Sequence, residues 1–221
     1  FDAAGTLMVP CPSVGEIYAE TLRKRGHAAS PKTIEGNFRK AFAKRKDRDN
    51  AASTNPQSFW KAMVTESLDT FCPREELDEV FADLWKHFGS GKAWRLMEGV
   101  ADTLIALKGQ GLRLAVLSNN DSRLRSVLDD LAIGHYFERV FISWEIGCEK
   151  PNLAIFRHVE KELSLASTQL LHVGDDCDRD MNAALRAGWK AILINTENGP
   201  GPRIPTLAAM LDLVSTPANQ R

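Results

Sequence analysis

No stretch of this 221-residue chain stays apolar long enough to cross a bilayer, and neither sign of charge dominates, with 28 basic against 29 acidic residues. The first absence excludes a membrane-spanning helix, which needs about 20 apolar residues. The second removes the electrostatic case for nucleic acid or an anionic lipid surface as the main partner. Cysteine is scarce: Cys11, Cys72, Cys148 and Cys177 stand apart with no C-x-x-C pair, and nothing before residue 10 resembles a secretion signal, so a reducing, cytoplasmic setting is expected. The histidines at 27, 87, 135, 158 and 172 show no metal-ligand spacing, and there is no internal repeat. What remains is an ordinary globular composition, 43% hydrophobic and 26% charged, whose default partner is a small molecule. The length suits one core domain carrying one substantial insertion. No feature of the sequence sets an oligomeric state.

Two kinds of pattern divide the chain. Residues 13–87 read as helices alone. Ser13 with Glu16 forms a capping box opening a helix that stops by Gly26. Ser30-Pro31 and Asn55-Pro56 each place a capping side chain before a first-turn proline, and a fourth helix starts near Pro73. Phe59, Trp60, Phe81, Trp85 and Trp94 are expected to form the packed interior of this block. Beyond Trp94, apolar runs at 112–117, 140–142, 170–173 and 191–194 alternate with amphipathic segments at 100–110, 122–131, 153–163 and 179–187. Continuous apolar strands between helices predict an α/β fold with a parallel sheet covered on both faces. Residues 198–205, with their glycines and prolines, read as a surface loop before a short helix. The first residue, Phe1, reads as the end of a strand.

Chemistry-bearing residues follow the strands. Phe1 is followed by Asp2-Ala3-Ala4-Gly5-Thr6, Leu117 by Ser118-Asn119, and Val173 by Gly174-Asp175-Asp176, while Lys150 precedes Pro151. A parallel sheet binds ligands at the carboxyl ends of its strands, so these groups should converge. Together they suit phosphoryl transfer, which needs positioning and charge neutralisation above all. Asp2 offers a carboxylate that can attack phosphorus. Two anions repel, so a hard cation is required between them, and Mg²⁺ held by Asp2 and Asp175 meets that need. Asp176, Asp178 and Asp180 lie close by, although Asp178 and Asp180 could instead serve the N-terminus of the next helix. Ser118 and Asn119 can donate to phosphate oxygens, and Lys150 can neutralise remaining charge and keep Asp2 ionised.

The set F-D-x-x-G-T, S-N after a strand, lysine before proline and G-D-x-x-x-x-D resembles the four motifs of the haloacid dehalogenase superfamily over nearly the whole chain. The resemblance implies a Rossmann-like three-layer sandwich at residues 1–9 and 95–221 and an all-helical cap domain at 10–94. It implies a phosphorylated small-molecule substrate, an aspartyl-phosphate at Asp2, and Mg²⁺ held by Asp2, the main-chain oxygen of Ala4, Asp175 and Asp180. One position departs from it. Phosphatases of the superfamily carry an acid/base aspartate two residues after the nucleophile, where this chain has Ala4. The departure implies a slow phosphatase, with a Mg²⁺- and phosphate-binding protein of weak activity as an alternative. Two further alternatives are a dehalogenase-like hydrolase and a phosphonatase-like one using a cap lysine, for which Lys24, Lys40, Lys44, Lys46 and Lys61 are available.

Overall fold

A computed structural model describes residues 1–46, 55–194 and 202–214. A parallel sheet forms the centre. Strand β3 (Ala115–Ser118) pairs with β4 (Arg139–Ile142), and β5 (Leu171–Gly174) pairs with β6 (Lys190–Ile194), which also carries β7 (Arg203–Ile204). The first two residues join these halves. Phe1 N donates to Ala115 O and Leu117 N donates to Phe1 O on one side, and Asp2 N donates to Val173 O on the other, each at 2.8 Å. Asp2 therefore sits in the middle of the order β4, β3, residues 1–2, β5, β6, β7, level with the carboxyl ends of its neighbours.

Strands β3, β5 and β6 are buried on both faces, which is why they read as continuous apolar runs. Val116 and Ile192 join Leu104, Leu128 and Val173 in one cluster, whereas the adjacent Leu117 and Leu193 join Phe156, Met181 and Trp189 in the other. Each such large side chain contributes about 1.5–3 kcal/mol of transfer free energy on burial. Helices α5 (Val100–Gly109), α6 (Arg123–Asp130) and α8 (Leu153–Leu163) supply the covering layers, with a single turn α7 (Ser143–Ile146) after β4. The chain is thus a Rossmann-like α/β fold with an added helical region.

That region consists of α1 (Val14–Arg23), α2 (Pro31–Lys46), α3 (Pro56–Leu68) and α4 (Leu77–Phe88). The expected caps are in place: Ser13 accepts from Glu16 N at 3.2 Å, and Asn55 Oδ1 accepts from Ser58 N at 2.9 Å. Leu22, Ile34, Leu68, Val80 and Leu84 close its own interior.

Three expectations need correction. The strand expected over 112–117 begins at Ala115, because Gly111 at φ 79° and the exposed Leu112 still belong to the turn leaving α5. The helix expected over 179–187 is a π-helical turn, Cys177–Asn182, running into one α turn, α9 (Ala183–Arg186). Of the loop expected over 198–205, residues 198–201 lie outside the described residues, and Arg203–Ile204 form β7, ahead of the expected short helix, α10 (Met210–Val214). The sequence also concealed an antiparallel ribbon, β1 (Met8–Pro10) with β2 (Trp94–Leu96), which joins the helical region to the sheet. Three residues per strand are too few for an alternating pattern to show.

Candidate active site

Local conformation brings the acids together. After Asp2 the chain turns back so that Ala3 O accepts from Leu7 N at 2.8 Å and Met8 N at 3.1 Å. The turn needs Gly5, whose φ is 91° and whose place a side chain could not take, since a Cβ there would stand 2.4 Å from Asp175 Oδ2. Gly174, the last residue of β5, likewise leaves room for a close approach, since a Cβ there would stand 2.3 Å from Asp180 Oδ2. The result is that Asp2, Asp175 and Asp180 each present an oxygen within 4.8 Å of the others. Thr6 Oγ1 reaches Asp175 Oδ1 at 3.5 Å.

Lys150 is only 2% exposed, and its ammonium donates to Asp2 Oδ1 at 2.8 Å, Asp180 Oδ1 at 2.6 Å and Leu117 O at 2.9 Å. Burial opposes its charge, yet Asp180 and Asp2 outweigh burial and hold it well above the ordinary lysine range. Asp180 accepts from the Asp176 amide at 3.0 Å and pairs with His172 Nε2 at 3.0 Å. Burial pushes its carboxyl up, but Lys150 and His172 overcome that and hold it below the usual range. Burial, reinforced by Lys150, lowers His172 to about 4, leaving a neutral ring in β5. Asp2 shifts upward, because burial and Asp180 prevail over Lys150 and the hydrogen bond from Ser118. Asp175 is pushed up to about 7 by burial and then by the charges of Asp2 and Asp180.

One ammonium against three carboxylates leaves a surplus of negative charge, and the all-oxygen donor set suits a hard divalent cation. Both oxygens of Asp180 already accept hydrogen bonds, so Asp2 and Asp175 are the better-placed ligands. Asp178 stands apart, exposed, with its Oδ1 taking Asn182 Nδ2 at 3.0 Å, and the turn is capped by Asp176, which accepts from Asp178 N and Arg179 N. Asn119 has a task the sequence did not reveal. Its Oδ1 accepts from Lys150 N and its Nδ2 donates to Lys150 O, both at 2.8 Å, so the amide fixes the main chain of the lysine.

A cavity of about 270 Å³ opens between the helical region and the sheet edge. Ala4, which is exposed, shares its lining with Tyr18, Trp60, Phe81, Trp85 and Trp94. Four of the five aromatics expected to be interior packing therefore line a cavity, and the remaining one, Phe59, meets Trp60 edge-on at 5.2 Å. Their helical spacing gave no way to separate packing from lining. No lysine borders the cavity among the described residues: Lys24 pairs with Glu20, Lys44 with Glu66 and Lys61 with Asp78, Lys40 is exposed, and the Lys46 side chain lies outside those residues. A second acidic and thiol group, His27, Cys72 and Glu76, gathers within 4.8 Å in the helical region although its members are dispersed in sequence.

A family profile for haloacid dehalogenase-like hydrolases matches residues 1–188. The chain belongs to that family. Within it, haloacid dehalogenase-like hydrolase domain-containing protein 3 of Xenopus laevis is 30% identical over 209 residues, covering 90% of this chain and 84% of the relative. Glyceraldehyde 3-phosphate phosphatase of Methanothermobacter thermautotrophicus is 36% identical over 104 residues, 47% of this chain and 46% of the relative. Among solved structures, the HAD-hydrolase YfnB of Bacillus subtilis bound to magnesium superposes with a TM-score of 0.78 at 15% identity, covering 97% and 96% of the two chains. L-2-haloacid dehalogenase of Xanthobacter autotrophicus does so with 0.73 at 16% identity, covering 99% and 98%. The last two establish the fold and leave the reaction to the residues. No helix among the described residues is long and apolar enough to cross a membrane.

Proposed function

We propose that this haloacid dehalogenase-like hydrolase hydrolyses a small phosphate monoester, or a related phosphoryl compound, slowly, through an aspartyl-phosphate at Asp2. The observation that carries the reading is the meeting of Asp2, Asp175, Asp180 and Lys150 from three separated segments. Asp2 attacks phosphorus and the alkoxide leaves with the bonding pair; water then delivers hydroxide to the same phosphorus as the bond from Asp2 to phosphorus breaks, and its proton goes to the alkoxide, giving the alcohol, inorganic phosphate and free Asp2. Lys150, 2.8 Å from Asp2, favours the anionic form of that carboxyl against burial and offers positive charge at the site. Ser118 orients Asp2, and Asn119 holds Lys150 while keeping one N–H for a phosphoryl oxygen. Asp2, Asp175 and the main-chain oxygen of Ala4 would hold Mg²⁺, with Asp180 beside them, and the ion when bound would offset the repulsion between carboxylate and phosphate. The helical region, residues 10–94, acts as a cap over the core at 1–9 and 95–221, excluding water from the site.

Ala4 brings no proton to the leaving oxygen. A positioned acid/base contributes about 10²- to 10⁴-fold, and turnover without one is slower by that factor. The same residue favours a second reading, in which the protein retains Mg²⁺ and phosphate recognition with negligible turnover. Release of phosphate from a panel of esters separates them. Asp2→Asn is expected to abolish Mg²⁺-dependent release and Ala4→Asp to raise it about 10²-fold or more on alkyl phosphates. Unchanged rates in both variants would remove the mechanism, and ligand-induced thermal stabilisation without release would favour the binding reading.

A further inference from the structure

The region of the cavity beside Ala4 carries a pattern of its own. Tyr18 and Arg123 supply the titratable groups of its lining among the described residues, and neither is placed to act on an anion. Arg123 is spent: its guanidinium donates to both oxygens of Asp121 at 2.8 and 2.7 Å and to Trp85 O at 2.8 Å, and it lies 3.3 Å over the Trp85 ring. Tyr18 is 3% exposed, and its hydroxyl makes no hydrogen bond among the described residues. Burial pushes that phenol above its ordinary range, which makes it a weaker acid than a free one. The remaining wall is ring surface from residues such as Trp60, Phe81, Trp85 and Trp94 together with aliphatic side chains, apart from the amides of Asn119, which holds the Lys150 main chain, and Asn120, whose Oδ1 accepts from Asp121 N. A group seated among the rings finds flat apolar faces and one hydroxyl, with the two amides already engaged in part, a poor match for a charged group or a sugar's array of hydroxyls.

Resting on the phosphoryl-hydrolase reading above, we propose that the leaving group this cavity accepts is an uncharged aromatic alcohol, so that the preferred substrates are aryl phosphates. Two independent features agree. The first is shape and surface: a cavity of roughly 150 Å³ takes one benzene ring, so 270 Å³ takes a substituted ring or a fused pair, stacked or edge-on against the tryptophans. The second is proton supply. With Ala4 where an acid would stand, the leaving oxygen departs as an anion. A phenol, with a pKa of roughly 10, tolerates that far better than an alcohol whose pKa lies nearer that of water, about 16. In balance, an oxygen of Asp2 bonds to phosphorus as the phosphorus–aryl oxygen bond breaks, and phenoxide leaves with the pair. Water then supplies hydroxide to phosphorus as the bond between Asp2 and phosphorus breaks, with the pair returning to Asp2, and its proton to the phenoxide, giving a phenol and inorganic phosphate.

The test compares 2-naphthyl phosphate, 4-nitrophenyl phosphate, acetyl phosphate and glucose 6-phosphate with the full chain and Mg²⁺. Acetyl phosphate has a readily leaving group without a ring, so it isolates the aromatic contact from leaving-group chemistry. The expected result is that kcat/KM for 2-naphthyl phosphate exceeds that for acetyl phosphate and exceeds that for glucose 6-phosphate by about 10²-fold or more. Trp60→Ala is expected to lower the naphthyl-to-acetyl ratio about tenfold. Across substituted phenyl phosphates the rate is expected to fall steeply with rising leaving-group pKa, with the same slope in Tyr18→Phe. A binding measurement stands apart from turnover: phenylphosphonate is expected to quench tryptophan fluorescence and to bind more tightly than methylphosphonate. Equal turnover of glucose 6-phosphate and 2-naphthyl phosphate, equal binding of the two phosphonates, or a slope steepened by Tyr18→Phe would overturn the inference. Absence of turnover on every ester with phenylphosphonate still preferred would fail the catalytic reading and leave the aromatic subsite standing.

Discussion

Asp175 is a residue whose protonation the electrostatics of the site control. Burial and two neighbouring carboxylates raise it to about 7, so the folded chain keeps a proton that the unfolded chain releases near pH 4. Its contribution to stability is therefore full below about pH 4 and is lost as pH rises toward 7. His172, lowered to about 4, acts in the opposite sense, since its neutral form must gain a proton on unfolding, and stability from that source rises over about pH 4 to 6.5. The two act in opposite senses over overlapping ranges of pH. A comparison with Asp175→Asn separates them: in chelator, the variant's melting temperature is expected to gain on the parent as pH is raised from 5 to 8, whereas a constant difference across that range would show that Asp175 ionises normally. Stabilisation by added Mg²⁺ is expected to grow over the same interval in the parent, because protons compete for the same oxygen.

Ala4 and Asn119 show how differently single positions can be read from sequence. Ala4 was legible as a missing acid, because the F-D-x-x-G-T pattern fixes its place relative to Asp2. The bidentate hold of Asn119 on the main chain of Lys150, 31 residues away, was not. That contact depends on where the chain around Pro151 lies against the end of β3, and no local pattern encodes such a meeting.

Elements repeat the contrast. Helices α1 and α3 could be placed because their starts are written in short-range chemistry, Ser13 and Asn55 each accepting from a backbone amide three residues on. The β1–β2 ribbon and the π turn could not, since pairing of Met8 with Leu96 and widening of a helix at Cys177–Asn182 are settled by tertiary neighbours. Between helical region and sheet, α4 and α6 are tied by Arg123, which donates to Trp85 O and stacks on its ring while anchored by Asp121. Arg123→Ala removes a charge-assisted hydrogen bond and a cation–π contact, together about 2 kcal/mol or more. Amide exchange over Leu77–Phe88 is expected to quicken while that of β3 and β5 does not change. Unaltered exchange in α4 would show that the clamp does not hold the region down.

At the scale of the molecule, the division of labour was readable because a block of helices alone precedes a stretch in which continuous apolar runs alternate with amphipathic segments, and the order of the four motifs fixes which strand ends face one another. What binds in the cavity was hidden, because an aromatic at helical spacing looks the same whether it packs inward or borders a space, as Trp60 and Trp85 do. The organising consequence of the fold is that residues 1–2, inserted between β3 and β5, deliver Asp2 to Asp175. Titration calorimetry of Mg²⁺ into the parent, Asp2→Asn and Asp175→Asn proteins at pH 7.5 tests this most directly. The structure leads to saturable binding by the parent at a single site, weakened by about tenfold or more in each variant. Affinity unchanged by either substitution would contradict a cation shared between the two residues.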